Sequence, residues 1–350
     1  MSGYVISEIY PFDKRANREV DELLYQEGIQ RDEHLDYTCG IYTSDNVLVA
    51  TGSCFGNTLR CLAVSEGYQG EGLLNKIISH LITFQFHRGF SHLFVYTKVE
   101  SASYLLDLGF YEIACVEDKL IFLENKKDGF SSYIKKLEKE SKTTKNEKQA
   151  SIVMNANPFT LGHLHLVEQA SKENDVVHLF MVSEDSSLIP FEIRKKLIIE
   201  GTKHLSNVIY HDTDSYMISH ATFPSYFLKD QEMVMEIQAK LDIEVFIKIA
   251  KALHIKKRYV GEEPFSQVTK IYNDIMVKSL KYQGIECTVI PRLKINDEMV
   301  SASKVRLAIK NNDFNQVKQW VPKTTYSYLV SDEAKTIVKK IQDTEEVIHH

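Results

Sequence analysis

Two short runs of this 350-residue chain hold side chains suited to phosphate chemistry. The first is NANPFTLGHLHLVEQA, residues 155–170, in which Thr160 and His163 stand three apart with Gly162 between them. A hydroxyl and an imidazole at that spacing share one side of a helix, and a helix beginning near Gly162 directs its unpaired amides at an anion. His163, in the first turn, donates a hydrogen bond to a phosphate and supports the charge that builds up there. His165, two residues on, faces another side of the helix. The second run is NDEMVSASKVRLAIKNND, residues 296–313. Ser301 and Ser303 are natural helix caps, and Arg306 follows in the first turn, so hydroxyls, amides and a guanidinium converge on an oxyanion. A third run, QGEG at 69–72, lies between a strand pattern and a helix pattern. Gly70 and Gly72 let the backbone approach a ligand, and the amides that follow favour a pyrophosphate; a tight turn without any ligand satisfies the same residues.

These runs need elements to position them. From residue 151 onward, strand patterns SIVMNA, VVHLFMVS, NVIYHD, KRYVGEE and CTVIPRL alternate with helix patterns near 162–173, 190–204, 264–283 and 303–312. That alternation predicts a parallel sheet covered on both faces, with ligands collecting at the carboxyl ends of its strands, where residues 155–163 fall. Pro158 and Gly162 are expected to shape the turn from strand to helix. Gly261 and Glu262, in VGEEPFSQVTKIYN, follow a strand and either reach adenine or ribose or cap the next helix. Arg194 opens an amphipathic helix, where simple surface charge also accounts for it. The aromatic stretch TDSYMISHATFPSYFLKD, 213–230, reads either as core packing or as a pocket for an acyl group or thiol arm. Ahead of all this, residues 37–64 read as three strands, followed by a Gly-rich turn and a helix with Leu73, Ile77, Ile78, Leu81 and Ile82 on one side. Between the halves, the Lys-rich stretch 125–148 reads as a solvated helix leading into a linker, with Ile134 and Leu137 its main apolar pair.

Composition narrows the classes. The chain is 43% apolar and 26% charged, as in ordinary globular proteins, and a net charge of −6 argues against wrapping a nucleic acid. No apolar run nears the ~18 residues that span a bilayer, and no signal peptide is visible, so no membrane association is expected. Cys39, Cys54, Cys61, Cys115 and Cys287 are odd in number, scattered and without CxxC spacing, which fits a reduced, cytoplasmic setting and no protein metal site. His349 and His350 carry no functional weight.

TLGH resembles the T/H-x-G-H motif of the nucleotidylyltransferases, which bind ATP and displace pyrophosphate from its α-phosphorus. The second run resembles that family's I-S-S-T-x-x-R signature, with Val300, Ala302 and Ser303 replacing Ile, Ser and Thr. The resemblance implies catalytic roles for Thr160, His163 and Arg306, and ATP or phosphate contacts for Asn157, Phe159, Gly162, Arg194, Gly261, Glu262, Ser301 and Ser303. The order of elements around QGEG resembles the GCN5-related N-acetyltransferases, whose pyrophosphate loop matches Gln69, Gly70 and Gly72, with Leu74 where that family prefers Gly or Ala. These three residues are accordingly expected at a coenzyme A-like arm.

The fold class so implied is α/β: an acetyltransferase-like mixed domain at 1–124, a charged helical linker at 125–148 and a Rossmann-like nucleotidylyltransferase domain at 149–350. That combination resembles the citrate lyase ligases. The resemblance implies ATP with Mg2+, acetate, and as partner the acyl carrier subunit of citrate lyase with its phosphoribosyl-dephospho-coenzyme A thiol, acetylated through acetyl-adenylate. The alternative is an adenylyltransferase acting on a pantetheine- or nicotinamide-type phosphate beside a separate acetyltransferase domain. A binding protein that has lost both activities is a third class.

Overall fold

A computed structural model describes residues 3–184, 187–217, 223, 224, 226, 231–262, 267–345 and 347. The chain divides into two compact units, Met1–Ser132 with Pro224–Glu244 and Tyr133–Phe223 with Val245–His350.

The first unit is a mixed sheet. Its strands are β1 (Val5–Glu8), β2 (Tyr37–Tyr42), β3 (Leu48–Phe55), β4 (Thr58–Val64), β5 (Phe94–Thr97), β6 (Tyr111–Val116) and β7 (Leu120–Glu124), in the order β1-β2-β3-β4-β5-β7-β6. All neighbours are antiparallel except β4 and β5, which pair in parallel only at Thr58–Phe94 and Leu59–Val95. The helices are α1 (Lys14–Gln26), α2 (Leu73–His87) and α3 (Ala102–Asp107). Leu73, Ile77, Ile78 and Leu81 of α2 are buried as their spacing predicts, and Ile82 packs beside them. Gly52 of β3 has no room for a side chain, because Ile77 and Leu81 press on that point; α2 therefore lies directly on the sheet.

The second unit holds an all-parallel sheet of β8 (Gln149–Met154), β9 (Val176–Met181), β10 (Val208–Asp212), β11 (Lys257–Gly261) and β12 (Glu286–Ile290). Their order is β10-β9-β8-β11-β12, so the chain starts in the middle, walks outward, returns and walks out the other way. Such reversal opens a crevice at the carboxyl ends of the two central strands, here β8 and β11. Helices α4 (Gly129–Ser141), α5 (Leu161–Glu173), α6 (Phe191–Thr202), α7 (Gln231–Ala252), α8 (Gln267–Tyr282), α9 (Ala302–Lys310), α10 (Phe314–Trp320), α11 (Lys323–Leu329) and α12 (Lys335–Asp343) complete the order along the chain, the first residues of α4 and of α7 belonging to the first unit. A small hairpin, β13 (Lys294–Ile295) with β14 (Glu298–Met299), turns on Asn296 and Asp297 at positive φ and delivers the chain to α9.

One expectation changes, one helix was missed, and one of two alternatives is favoured. The Lys-rich helix α4 is not solvated all round: Tyr133, Leu137 and Ser141 are buried, and the Tyr133 hydroxyl donates to the Asp212 carbonyl at 3.0 Å. Helix α7 was not visible in the pattern because its apolar residues are buried without forming a stripe, among them Ile237, Leu241, Ile243, Phe246 and Ile249. Of the stretch 213–230, residues 218–222, 225 and 227–230 lie outside the described residues; Tyr216, Met217, Phe223 and Tyr226 are all buried, which is core packing. Among the described residues, no helix is long and apolar enough to cross a membrane.

Candidate active site

The site begins where β8 ends. The Asn157–Pro158 peptide is cis, and Thr160 caps α5. The Thr160 hydroxyl accepts the His163 N–H at 3.3 Å, while the Thr160 N–H donates to His163 Nδ1 at 3.0 Å. Two orphan amides are thus satisfied reciprocally, with a histidine in the place usually held by a glutamate. Since Nδ1 accepts, the proton of the neutral ring belongs on Nε2, which is left as a donor. Burial, and after it the nearby Arg292 charge, push the His163 pKa down to about 4, so the ring is neutral at neutral pH.

Phe159, expected at the nucleotide, is fully buried instead. Its ring stacks on His163 with centroids 5.9 Å apart, and packs on Gly201 of α6, so it supports the imidazole from the core side. Gly162 falls where α5 was expected to begin. It lies inside the first turn of α5, and a Cβ there would stand 3.4 Å from the Val300 carbonyl oxygen. That is van der Waals contact, and it marks the point at which the two runs meet.

Ser301 caps α9, accepting the Lys304 N–H at 3.2 Å. Helix α9 starts at Ala302, which carries Arg306 past the first turn and onto the buried side with Val305 and Ile309. Its guanidinium, only 3% exposed, donates to the carbonyls of Asn157 and Val347, both at 2.6 Å, and to the Ser303 hydroxyl at 3.3 Å. Burial draws its pKa down to about 10. Arg306 therefore ties the second run to the first from behind, rather than presenting itself at the mouth of the site. Asn157 accepts the Ile189 N–H at 3.2 Å through Oδ1, while its buried Nδ2 has no hydrogen-bond partner among the described residues.

Arg194 is fully buried as well. It donates to the carbonyls of Ile189 at 3.0 Å, Asn155 and Val182 at 2.9 Å each, and Glu184 at 2.5 Å. This directs its charge at the backbone leaving β8 and β9, not at the open crevice. Gly261 and Glu262 close β11: the Gly261 carbonyl accepts from Asn273 at 3.3 Å, and the Glu262 N–H donates to Ile290 at 2.9 Å. Open space lies where a Gly261 side chain would be. The continuation at 263–266 lies outside the described residues.

One functional candidate escaped the sequence reading. Arg292, two residues beyond β12, donates through Nε to the Glu262 carbonyl at 2.9 Å and through Nη1 to the Val300 carbonyl at 3.4 Å. Its position just past a strand end of a parallel sheet was the available signal.

In the first unit, Gly70 (φ +86°) and Gly72 (φ +74°) adopt the left-handed region, and Gly72 caps α2. Beside them, Glu27 accepts the Glu66 N–H at 3.2 Å and the Gln69 side-chain amide at 3.5 Å, and the Tyr4 hydroxyl donates to Glu71 at 2.5 Å. Leu74 packs against the core. Among the described residues of the whole chain, no group of three His, Cys, Asp or Glu is arranged to hold a metal.

The family model described as the citrate lyase ligase C-terminal domain matches residues 149–329. Curated relatives include the citrate (pro-3S)-lyase ligase of Escherichia coli K12, 34% identical over 93% of this chain and 93% of its own. That of Klebsiella pneumoniae is 36% identical over 91% of this chain and 94% of its own, and that of Haemophilus influenzae 35% over 89% and 94%. On a family match across half its length and relatives aligned along nearly all of it, the chain belongs to the citrate lyase ligase family.

Proposed function

We propose that the second unit binds ATP across the crevice at the ends of β8 and β11 and joins it to acetate as acetyl-adenylate. The overall conversion is the family's: ATP, acetate and the thiol form of citrate lyase become AMP, diphosphate and acetyl-citrate lyase. Acetate is a resonance-stabilised carboxylate and a poor acyl electrophile. Attack of its oxygen on the α-phosphorus, with departure of pyrophosphate, yields an anhydride; thiolate attack on the acetyl carbon then releases AMP.

One observation carries this reading: the two phosphate-suited runs meet, with Gly162 against the Val300 carbonyl and Arg306 holding the Asn157 carbonyl at 2.6 Å. Two helix N-termini, those of α5 and α9, are thereby drawn to one place, where their amides suit a polyphosphate. His163 Nε2–H is the donor for charge developing on the α-phosphate, and Thr160 sets its direction. Ser301 holds the start of α9, and Ser303, Arg306, Arg194, Asn157 and Phe159 position the rest. Gly261 and Glu262 lie on the adenosine side. Magnesium is taken to arrive on the phosphates of ATP, which suits a hard cation that keeps much of its water.

The finer partner assignment is a phosphoribosyl-dephospho-coenzyme A thiol on the acyl carrier subunit, received by a first domain ending near residue 124. Its support is the QGEG loop, whose glycines stand at the start of α2. A cytoplasmic setting accords with five cysteines that are all free thiols. The test is pyrophosphate release from magnesium-ATP, without and with acetate, then with deacetylated citrate lyase, beside His163→Ala. Acetate-dependent release that rises with the carrier, accompanies thioester formation and is lost in the variant is expected. Release indifferent to acetate, yet elicited by a pantetheine or nicotinamide phosphate, would establish the adenylyltransferase alternative.

A further inference from the structure

We propose that Arg292 is a positioning residue for the ATP step, a clamp that holds the adenosine side of the crevice at a fixed distance from its phosphate side. The inference rests on the ATP-site reading above. Its guanidinium donates to backbone carbonyls from separate walls: Glu262, just past β11, at 2.9 Å, and Val300, the residue before the cap of α9, at 3.4 Å. Among the described residues no strand ladder joins the two walls, since β11 pairs with β8 and β12 and Val300 lies beyond the β13–β14 hairpin; each is tied by its own N–H to the segment that carries Arg292, Glu262 to the Ile290 carbonyl at 2.9 Å and Val300 to that of Leu293 at 3.0 Å.

The same Val300 carbonyl is the atom that Gly162 approaches. Arg292 thus fixes the oxygen against which the first turn of α5 is packed, and through it the placement of His163. A guanidinium suits this work because its fork addresses two acceptors in a fixed plane, which a lysine ammonium cannot reproduce.

The clamp also has an electrostatic side. Around His163, Thr160 and Phe159 from its own segment carry no charge, and Arg292 is the charged group bearing on it, disfavouring the imidazolium. Burial is the larger cause of the low pKa, so removal of the Arg292 charge raises it only in part; protonation at Nδ1, which displaces the Thr160 N–H, then sets in at a higher pH.

The experiment uses the full chain and acetate-dependent pyrophosphate release as a function of ATP concentration and pH, for wild type, Arg292→Ala, Arg292→Lys and His163→Ala. Arg292→Ala is expected to raise KM for ATP roughly tenfold, the scale of one lost charge-assisted contact, and to move the acid limb of kcat/KM upward. Arg292→Lys keeps the charge but not the fork, so its acid limb stays with wild type while KM rises. Should Arg292→Ala fail to fold, that split in the lysine variant remains the readout. Wild-type KM and an unmoved acid limb in a folded Arg292→Ala would overturn the clamp, as would a lysine variant indistinguishable from wild type in KM. Activity surviving in His163→Ala would instead sink the ATP-site reading, so the two failures are separable.

Discussion

His163 uses its two ring nitrogens for different purposes. Nδ1 accepts the Thr160 N–H at 3.0 Å and completes the start of α5, whereas Nε2 carries the proton of the neutral ring and in the proposed site is the donor to the nucleotide. A substitution that separates the two tasks follows from the side-chain inventory. His163→Asn retains a short acceptor for the helix start and offers nothing at the Nε2 position. Its melting temperature is expected within a few degrees of wild type, while acetate-dependent pyrophosphate release falls by about 10²–10³, the scale for loss of one donor to a developing oxyanion. A stable variant with near-normal release would show that the histidine is only a cap. Reading residues alone led to a partial account of this site. Thr160, His163 and Ser301 were legible as residues of the two helix starts, because capping chemistry and phosphate chemistry favour the same residue types at the same spacing. Arg194 and Arg306 were not, because a guanidinium that meets phosphate and one that meets carbonyls look alike in a sequence; both send their donors to backbone oxygens. Arg292 escaped because it also acts through carbonyls, which no side-chain pattern records.

At the scale of elements, the packing of α6 under α5 gives a sign that propensity would miss. Gly201 lies within α6, where Ala would normally stabilise by ~1 kcal/mol. Here a Cβ would stand 2.5 Å from Phe159 Cε1, and that ring is fully buried beneath His163. Overpacking of this kind costs ~1–3 kcal/mol, so Gly201→Ala is expected to be net destabilising in urea and to lower kcat by displacing the imidazole. A variant more stable than wild type would refute the contact. The sheet carries a second element-scale effect, where β8, β9, β10 and α4 share a buried polar row. His178 bonds to His211 at 3.0 Å and to Gln149 at 2.9 Å, and His211 meets Glu140 of α4 at 3.0 Å. Burial, then the neighbouring His211, pushes the His178 pKa down to about 3. Between that value and the unfolded ~6.5 the unfolded chain binds more protons, so stability is full above the window and falls as pH drops through it. His178→Gln, which does not titrate, is expected to flatten the slope of unfolding free energy against pH; an unchanged slope would assign the effect elsewhere. The parallel sheet itself was readable from alternation. The docking of α4 was not, since its buried face uses Tyr133 and Ser141 along with Leu137, and charge dominates its composition.

At the scale of the molecule, the chemistry demands two partners in succession: a small carboxylate activated by ATP, then a thiol carried on another protein. An acyl-adenylate is open to water, so the second step has to follow the first without release. If the first unit receives the thiol-bearing arm at the start of α2, damage to the QGEG loop should spare adenylate formation and slow only transfer. Gly72 is a suitable point because it caps α2 at φ +74° with open space around it, so backbone strain and charge are the two consequences of substitution. Asn tolerates the left-handed conformation and adds no charge, whereas Glu brings a carboxylate to a loop already flanked by Glu27, Glu66 and Glu71. Gly72→Asn is therefore the control for strain, and Gly72→Glu the probe for an anionic arm. Acetate-dependent exchange of labelled pyrophosphate into ATP is expected to match wild type in both. Acetylation of deacetylated citrate lyase should stay near wild type for Gly72→Asn and rise at least tenfold in KM for the carrier with Gly72→Glu, recovering in part as added salt screens the repulsion. Equal transfer by both variants would remove the loop from carrier recognition while leaving the ATP site intact. Loss of exchange in Gly72→Glu alone would mean that the first unit shapes the adenylation step itself.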